Sequence, residues 1–180
     1  TFPMFRPQFC KMFIEEIKHF QGSGLPVTRP NSMNRYGLVL DEIGFSPMLN
    51  NLLLQYVKPL ATLLFPHYHG AELNSHHGFI VQYDMDGDQS LNFHFDDSDV
   101  TLNVCLGEEF EGGNLFFSGI LEEQSTHGEY VEVGHTPGTA LLHAGHHRHG
   151  ALPITAGTRY NLIMWCSHHA TGCRGCHCHR

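Results

Sequence analysis

The chain has 180 residues, of which 41% are hydrophobic and 16% are charged, a composition typical of one globular domain rather than of a disordered segment. Its 18 acidic residues against 10 Lys and Arg give a formal net charge of −8. Such a chain has no basic stripe to neutralise a phosphate backbone, which argues against nucleic acid as its main partner. No apolar run approaches the length of a membrane span, so no membrane partner is expected.

The first 70 residues are predicted to be mainly helical. Residues 7–20 carry an apolar stripe at helical spacing and end near Gly22, and the stripe consists of Phe9, Phe13, Ile17 and Phe20. The run YGLVL at 36–40 predicts a short strand. A second helix is expected with Ser46 as its N-cap and Pro47 in its first turn, interrupted at Pro59.

Short β-rich runs separated by turn residues follow from residue 79 onwards: FIVQY, LNFHF, VTLNVCL, NLFF, YVEV, TALLH and RYNLIMW. Many short strands favour an antiparallel barrel or a double-sheet jelly roll. We therefore expect an α+β fold, mostly β, in which N-terminal helices pack on one sheet of a double-stranded β-helix. The predicted organisation is a single domain over residues 1–172, with a helical part at 1–70 and a jelly-roll core at 79–166, followed by a Cys/His-rich tail at 173–180.

An H-x-D pattern in the run LNFHFDD is the first candidate for chemistry. His94 and Asp96 lie two residues apart in a predicted strand, so their side chains should share one face. They would supply two of the three ligands of a 2-His-1-carboxylate site for non-haem Fe(II), although the pattern alone is weak. The tract LLHAGHHRHG at 141–150 offers four histidines as the third ligand, namely His143, His146, His147 and His149.

Four segments in order resemble the prolyl-4-hydroxylase-type Fe(II)/2-oxoglutarate dioxygenases. They are VQYDMDGDQSLNFHFD, LGEEFEGGNLFF, HTPGTALLHAG and HGALPITAGTRYNLIMW, and they all lie between residues 79 and 165. In that family a cation for the distal carboxylate of 2-oxoglutarate stands about ten positions after the distal histidine. Among the four histidines of the tract, only His149 has a basic residue at that distance, which is Arg159.

Residue by residue, the resemblance implies His94, Asp96 and His149 as catalytic metal ligands and Arg159 as the cosubstrate clamp. It also implies Tyr83, in the strand before the H-x-D pattern, as a cosubstrate-binding residue. Asn103 and Asn161 lie on predicted strands near this site and are expected to be polar supports for the cosubstrate. His143 departs from the family pattern, which usually has Phe there, and it either lines the pocket or supports a ligand. His146 and His147 are expected to be solvated loop residues.

The function that the resemblance implies is hydroxylation of a C–H bond, with Fe(II), 2-oxoglutarate and O2 required and succinate and CO2 as coproducts. Ascorbate is a candidate additional cofactor. A protein or peptide side chain of prolyl or lysyl type is the expected substrate, while a small molecule stays open. The alternative is a catalytically inactive jelly-roll module for metal binding or interaction.

The cysteines fall into two groups. Cys10, Cys105 and Cys166 sit singly in apolar segments and are expected to be small core residues, which is typical of a reducing, intracellular compartment (cytoplasm or nucleus). Cys173, Cys176 and Cys178, with His177 and His179, form a zinc-competent set near the end of the chain. A structural zinc site is disfavoured there, because it needs four ligands held by a fold.

Overall fold

A computed structural model describes residues 1–169 of the chain. The helices are α1 (Pro7–Gly22), α2 (Ser46–Leu52) and α3 (Lys58–Leu64). The strands are β1 (Phe2–Pro3), β2 (Gly37–Val39), β3 (Ser75–Asp84), β4 (Leu91–His94), β5 (Val100–Gly107), β6 (Phe110–Gly112), β7 (Leu115–Ile120), β8 (Val131–Val133), β9 (Thr139–Ala144), β10 (His147–Ala151) and β11 (Ile154–Ser167).

The strands form two antiparallel sheets. The larger sheet has the order β1–β9–β5–β11–β3–β2, with β6 also paired to β11, and the smaller has the order β4–β10–β7–β8. From β3 onwards the chain crosses repeatedly from one sheet to the other, since β3, β5, β9 and β11 belong to the larger sheet and β4, β7, β8 and β10 to the smaller. A mostly β fold with antiparallel sheets was predicted, and this topology is consistent with a jelly roll.

The helices cover one face of the larger sheet. α1 contacts β5 and α2 contacts β3. The buried stripe of α1 consists of Cys10, Phe13, Ile14 and Ile17, so it is rotated slightly from the predicted stripe and leaves Phe9 partly exposed. Burial of each such large apolar side chain contributes roughly 1.5–3 kcal/mol, which ties the helical segment firmly to the sheet.

The second predicted helix is continuous in space but changes its pitch before Pro59. Residues Leu53–Val57 form a π-helical turn between α2 and α3. Proline has no backbone N–H to donate to the preceding turn, and the wider turn accommodates this loss. The prediction that Ser46 caps the helix is wrong: Ser46 is the first helical residue, and its hydroxyl donates to Asp41 Oδ1 at 2.8 Å.

A second apolar cluster fills the space between the two sheets and includes Phe79, Val81, Leu115, Phe117 and Ile163. The cysteines predicted to be core residues, Cys10, Cys105 and Cys166, are buried free thiols, as expected. The predicted end of the domain at residue 172 and the Cys/His-rich tail lie outside the described residues. Within residues 1–169, no helix combines the length and the hydropathy that a bilayer span requires.

Candidate metal centre

Three of the predicted ligands converge at one end of the smaller sheet. β4 ends at His94, Asp96 follows it, and His149 of β10 lies directly opposite His94 in the strand register. One donor atom from each of the three side chains lies within 4.8 Å of the other two. His94 Nε2 is 3.4 Å from Asp96 Oδ1, and His149 Nε2 is 3.7 Å from Asp96 Oδ2. Donors held at about 2.1 Å from one octahedral ion are about 3 Å apart, so a small inward shift would complete a metal site.

Backbone carbonyls orient both imidazoles. His94 Nδ1 lies 2.7 Å from the carbonyl oxygen of Asn92, and His149 Nδ1 lies 2.8 Å from that of His147. A ring nitrogen facing a carbonyl must carry the hydrogen, so each Nε2 keeps its lone pair free for a metal. His147 therefore contributes through its backbone, and it lies in β10 rather than in the loop that the sequence predicted.

Asp96 is held by its own set of hydrogen bonds. Its Oδ2 accepts from the Thr101 hydroxyl at 2.6 Å, Ser98 Oγ lies 2.8 Å from that hydroxyl, and the Asp96 backbone N–H donates to the carbonyl of Gly145. Burial alone would raise the pKa of this carboxyl, but the adjacent His94, the other nearby imidazoles and the Thr101 hydrogen bond together lower it. Asp96 is therefore an ionised ligand at neutral pH.

His149 is neutral, whereas Asp96 is ionised. Its side chain is buried, and burial together with the neighbouring His143 lowers its pKa well below that of a free imidazole, despite the opposing charge of Asp96. A neutral imidazole is the form that binds metals. The site thus offers neutral His149 beside an ionised carboxylate, which suits a divalent cation.

His143 is a third imidazole behind this group. Its Nδ1 lies 2.8 Å from the carbonyl of Ala144, and its Nε2 lies 3.8 Å from Asp96 Oδ2. The ring meets that of His149 edge-on, with 4.5 Å between centroids. His143 is outside the lining of the cavity beside His94 and His149, so the structure places it against the ligands rather than in the pocket.

Arg159 lies fully buried in the interior between the sheets, with 0% of its surface exposed. Its Nη1 donates to the carbonyl of Gly113, and its guanidinium carbon lies 4.5 Å from the centre of the Tyr83 ring. Its Nε and Nη2 have no hydrogen-bond partner among the described residues. A buried cation without a counter-ion is costly, so this arrangement suits a bound anion.

The remaining predicted site residues lie on the same interior face. Tyr83 is directly opposite Arg159 in the β3–β11 register and is buried. Asn161 Nδ2 donates to Asn103 Oδ1 at 2.6 Å. Asn103 and Tyr83 both line a cavity of about 400 Å³, counting its open mouth, and His94, Asp96 and His149 line the same cavity.

Three contributors were missed by sequence reasoning. Thr101 orients Asp96, His135 accepts a hydrogen bond from Asn161, and Gly113 supplies the carbonyl that Arg159 binds. Gly113 has φ +69°, and a Cβ there would lie 2.7 Å from Arg159 Nη1, which explains why this position is a glycine. The inward position of Thr101, two residues before Asn103, was a usable signal; the position of His135 in a loop gave none.

His146, the remaining histidine of the tract at 141–150, lies apart from the site. His146 Nδ1 is 2.6 Å from Glu122 Oε1, and both side chains are about half exposed. The C-terminal Cys173, Cys176 and Cys178 lie outside the described residues.

Comparisons with known proteins show what this chain is similar to. A family model described as an OGFOD2-like domain matches residues 1–70. The chain is 48% identical over 164 residues to 2-oxoglutarate and iron-dependent oxygenase domain-containing protein 2 of Xenopus tropicalis, which covers 91% of this chain and 47% of that protein. It is 33% identical over 178 residues to the human multifunctional procollagen lysine hydroxylase and glycosyltransferase LH3, covering 91% of this chain and 23% of that protein.

Among solved structures, a Pseudomonas putida prolyl-4-hydroxylase matches with a TM-score of 0.61 and 17% identity, over 94% of this chain and 91% of that one. This likeness concerns the fold. The predicted resemblance to this class of oxygenase is thus confirmed, and the chain spans less than half the length of the curated 2-oxoglutarate and iron-dependent oxygenase domain-containing proteins that it matches.

Proposed function

We propose that this chain, a relative of the 2-oxoglutarate and iron-dependent oxygenase domain-containing proteins, is an Fe(II)- and 2-oxoglutarate-dependent dioxygenase built on a double-stranded β-helix. It hydroxylates a C–H bond of a protein side chain of prolyl or lysyl type. One observation carries the proposal: a 2-His-1-carboxylate donor set shares the interior between the two sheets with a buried arginine that lacks a counter-ion.

The donor set fits Fe(II). Two imidazoles and one carboxylate, each oriented by a hydrogen bond, would hold the metal and would leave coordination positions for cosubstrate and oxygen. When bound, the iron activates oxygen, and 2-oxoglutarate supplies two electrons and leaves as succinate and CO2.

The role of Arg159 is to hold the distal carboxylate of 2-oxoglutarate. Its free Nε and Nη2 donors form a planar pair suited to a carboxylate, and its carbonyl bond to Gly113 fixes the guanidinium in place. Tyr83 packs against the guanidinium and completes this end of the pocket. A cosubstrate held at its far end has its reactive end oriented toward His94, Asp96 and His149 before oxygen enters.

Two observations support a protein substrate. The relative LH3 is named as a procollagen lysine hydroxylase, and the chain resembles it over 91% of its length. The cavity is also lined by Asn31, Met33 and Asn34, and Met33 is exposed, so a substrate side chain that enters past Met33 could reach the metal ligands from solvent. The net charge of −8 argues against a nucleic acid substrate.

The test is turnover of 2-oxoglutarate by the iron-loaded chain. We expect succinate to form without an added substrate, and His149→Ala to reduce its formation by at least about 100-fold, because a ligand is lost. The matched control is His146→Ala, which removes an exposed imidazole paired with Glu122 and should leave turnover unchanged.

A gain of one oxygen in prolyl or lysyl peptides, measured by mass spectrometry, tests the substrate class. Iron binding without succinate formation would contradict the proposal and favour an inactive metal-binding module. Succinate formation with no modified peptide would contradict only the substrate class.

A further inference from the structure

His135 is a buried histidine that the proposed chemistry does not yet use. It lies in the loop between β8 and β9, and only 6% of its surface is exposed. Its Nδ1 is 3.1 Å from Asn161 Nδ2, and the same amide nitrogen lies 2.6 Å from Asn103 Oδ1. One amide group therefore bridges His135 and Asn103.

The bridge fixes the direction of every hydrogen bond in the chain of three residues. An amide nitrogen only donates, so His135 Nδ1 accepts and its hydrogen is on Nε2. Asn103 Oδ1 is likewise an acceptor and is occupied by Asn161. Because Asn103 lines the cavity beside the metal ligands, its NH2 group is the part of its amide left to face that cavity.

The opposite arrangement would present the wrong group to an anion. If His135 Nδ1 carried a hydrogen, Asn161 would have to turn its oxygen toward both neighbours, and Asn103 would then turn its carbonyl oxygen into the cavity. Burial and the nearby charge of Arg159 lower the pKa of His135 to about 4, so the imidazole is neutral at physiological pH and can act as an acceptor.

We propose that His135 is a positioning residue for 2-oxoglutarate. Acting through Asn161, it holds the Asn103 amide with its NH2 toward the cavity, where that NH2 donates to an oxygen of the bound cosubstrate. This inference rests on the proposed function, and it assigns one joint task to His135, Asn161 and Asn103.

The test measures cosubstrate affinity without turnover. The full chain is loaded with Zn(II), which is redox-inert, and the Kd of 2-oxoglutarate is measured by calorimetry and by the fluorescence of Trp165, the single tryptophan, which lines the cavity. We expect His135→Phe to weaken 2-oxoglutarate binding about tenfold, because the acceptor that orients Asn161 is lost. Affinity for Zn(II) should not change.

Two further variants separate positioning from a merely structural role. His135→Asn places an amide oxygen near the position of Nδ1, so it should restore 2-oxoglutarate affinity to within about threefold of the unmodified chain. Asn103→Asp keeps an acceptor for Asn161 but turns a charged oxygen toward the cavity, and it should weaken 2-oxoglutarate binding about 100-fold or more. Both retain a polar side chain of similar size and carry the test if His135→Phe fails to fold.

The outcomes distinguish this inference from the proposed function. If the unmodified Zn(II)-loaded chain does not bind 2-oxoglutarate, the proposed function itself is wrong. If it binds, but His135→Phe or Asn103→Asp binds equally well, only the positioning role is wrong. A role of His135 in stability alone would lower the unfolding temperatures of His135→Phe and His135→Asn while leaving the Kd of the folded fraction unchanged.

Discussion

The two faces of the larger sheet are equally buried and chemically opposite. On the face toward the helices, Leu102 of β5 and Leu162 of β11 are 0% exposed and pack among other apolar side chains. The strand neighbours of these leucines, Asn103 and Asn161, point to the other face and are 7% and 1% exposed. Since successive strand residues alternate between faces, the same two strands supply both the core and the site. Burial by itself therefore does not distinguish a packing residue from a functional one.

The difference lies in whether each buried group is satisfied. The helix-facing side is mostly hydrocarbon, which needs no hydrogen-bond partner. The interior side includes Arg159 Nε and Nη2, Asn161 Oδ1, His135 Nε2 and His143 Nε2, all buried and without a hydrogen-bond partner among the described residues. Such groups cost free energy in the empty protein, typically about 1–3 kcal/mol each. We infer that this face is completed by ligands, and that metal and cosubstrate together should stabilise the fold markedly.

The largest expected effect comes from removing the buried cation. Arg159→Met should weaken 2-oxoglutarate binding about a thousandfold, because a desolvated charge pair with the carboxylate is lost. The free energy of unfolding of the ligand-free chain should stay the same or rise, since an uncompensated charge leaves the interior. Calorimetry and denaturant unfolding check the two parts. If Arg159→Met greatly lowered the free energy of unfolding but left the Kd of 2-oxoglutarate unchanged, Arg159 would be a packing residue and not a ligand-binding residue.

A substitution on the helix-facing side should lower stability and leave 2-oxoglutarate binding unchanged. Leu162→Ala, next to Asn161 but facing the helices, should lower the free energy of unfolding by about 3 kcal/mol, because it leaves a cavity in the core. The Kd of 2-oxoglutarate should remain unchanged under conditions where the variant is folded. Urea unfolding and a binding titration on the same sample are the measurements, and a changed Kd would show that the faces are coupled.

Acid should destabilise the interior face through its neutral histidines. Burial, and to a smaller extent the charge of Arg159, lowers the pKa of His135 from an ordinary 6.5 to about 4. Below pH 6.5 the unfolded chain therefore binds a proton at His135 that the folded chain does not bind. Stability should therefore decrease on acidification from about pH 6.5 to about pH 5, by roughly 2 kcal/mol for His135 alone. The pKa values of His143 and His149 are lowered in the same direction by burial.

Asp96 does not contribute in this window. Its lowered pKa stabilises the fold above the ordinary carboxyl range, and that contribution is lost only at lower pH. Urea unfolding of the metal-free chain between about pH 7 and pH 5 measures the effect. His135→Asn should flatten the curve relative to the unmodified chain, and an unchanged slope would contradict the role assigned to His135.

The sequence predicted most of the fold and the chemical types at the site because both depend on local patterns. Strand alternation places His94, Asn103 and Asn161, and the spacing between distal histidine and cation that the family resemblance implies points to His149 in a crowded tract. What it could not predict depends on contacts between distant segments. Gly113 meets Arg159 across 46 positions, and His135 meets Asn161 across 26, so no local periodicity marks either contact.

Two local predictions, for Ser46 and His147, were wrong because contacts with neighbouring segments outweighed the preference of the residue type. Ser46 has the residue type of an N-cap, but the helix starts at Ser46 itself, and the Ser46 hydroxyl is bound by Asp41. His147 was predicted to be a solvated loop residue, yet it lies in β10, where its carbonyl faces His149 Nδ1. Both errors concern hydrogen-bond partners, which the residue type alone does not specify.

The smallest expected effect concerns the hydroxyl that orients Asp96. Thr101→Val removes the 2.6 Å hydrogen bond to Asp96 Oδ2 while keeping nearly the same shape, and it should weaken metal binding about tenfold. Ser98→Ala is the matched control: Ser98 Oγ lies 2.8 Å from the Thr101 hydroxyl, so its loss should change metal affinity by about twofold or less. Competition with a chelator measures both affinities. Equal effects of the two substitutions would mean that Asp96 is oriented by the strand backbone rather than by the Thr101 hydroxyl. The side-chain hydrogen bonds of the interior face would then contribute less to metal binding than their short distances indicate.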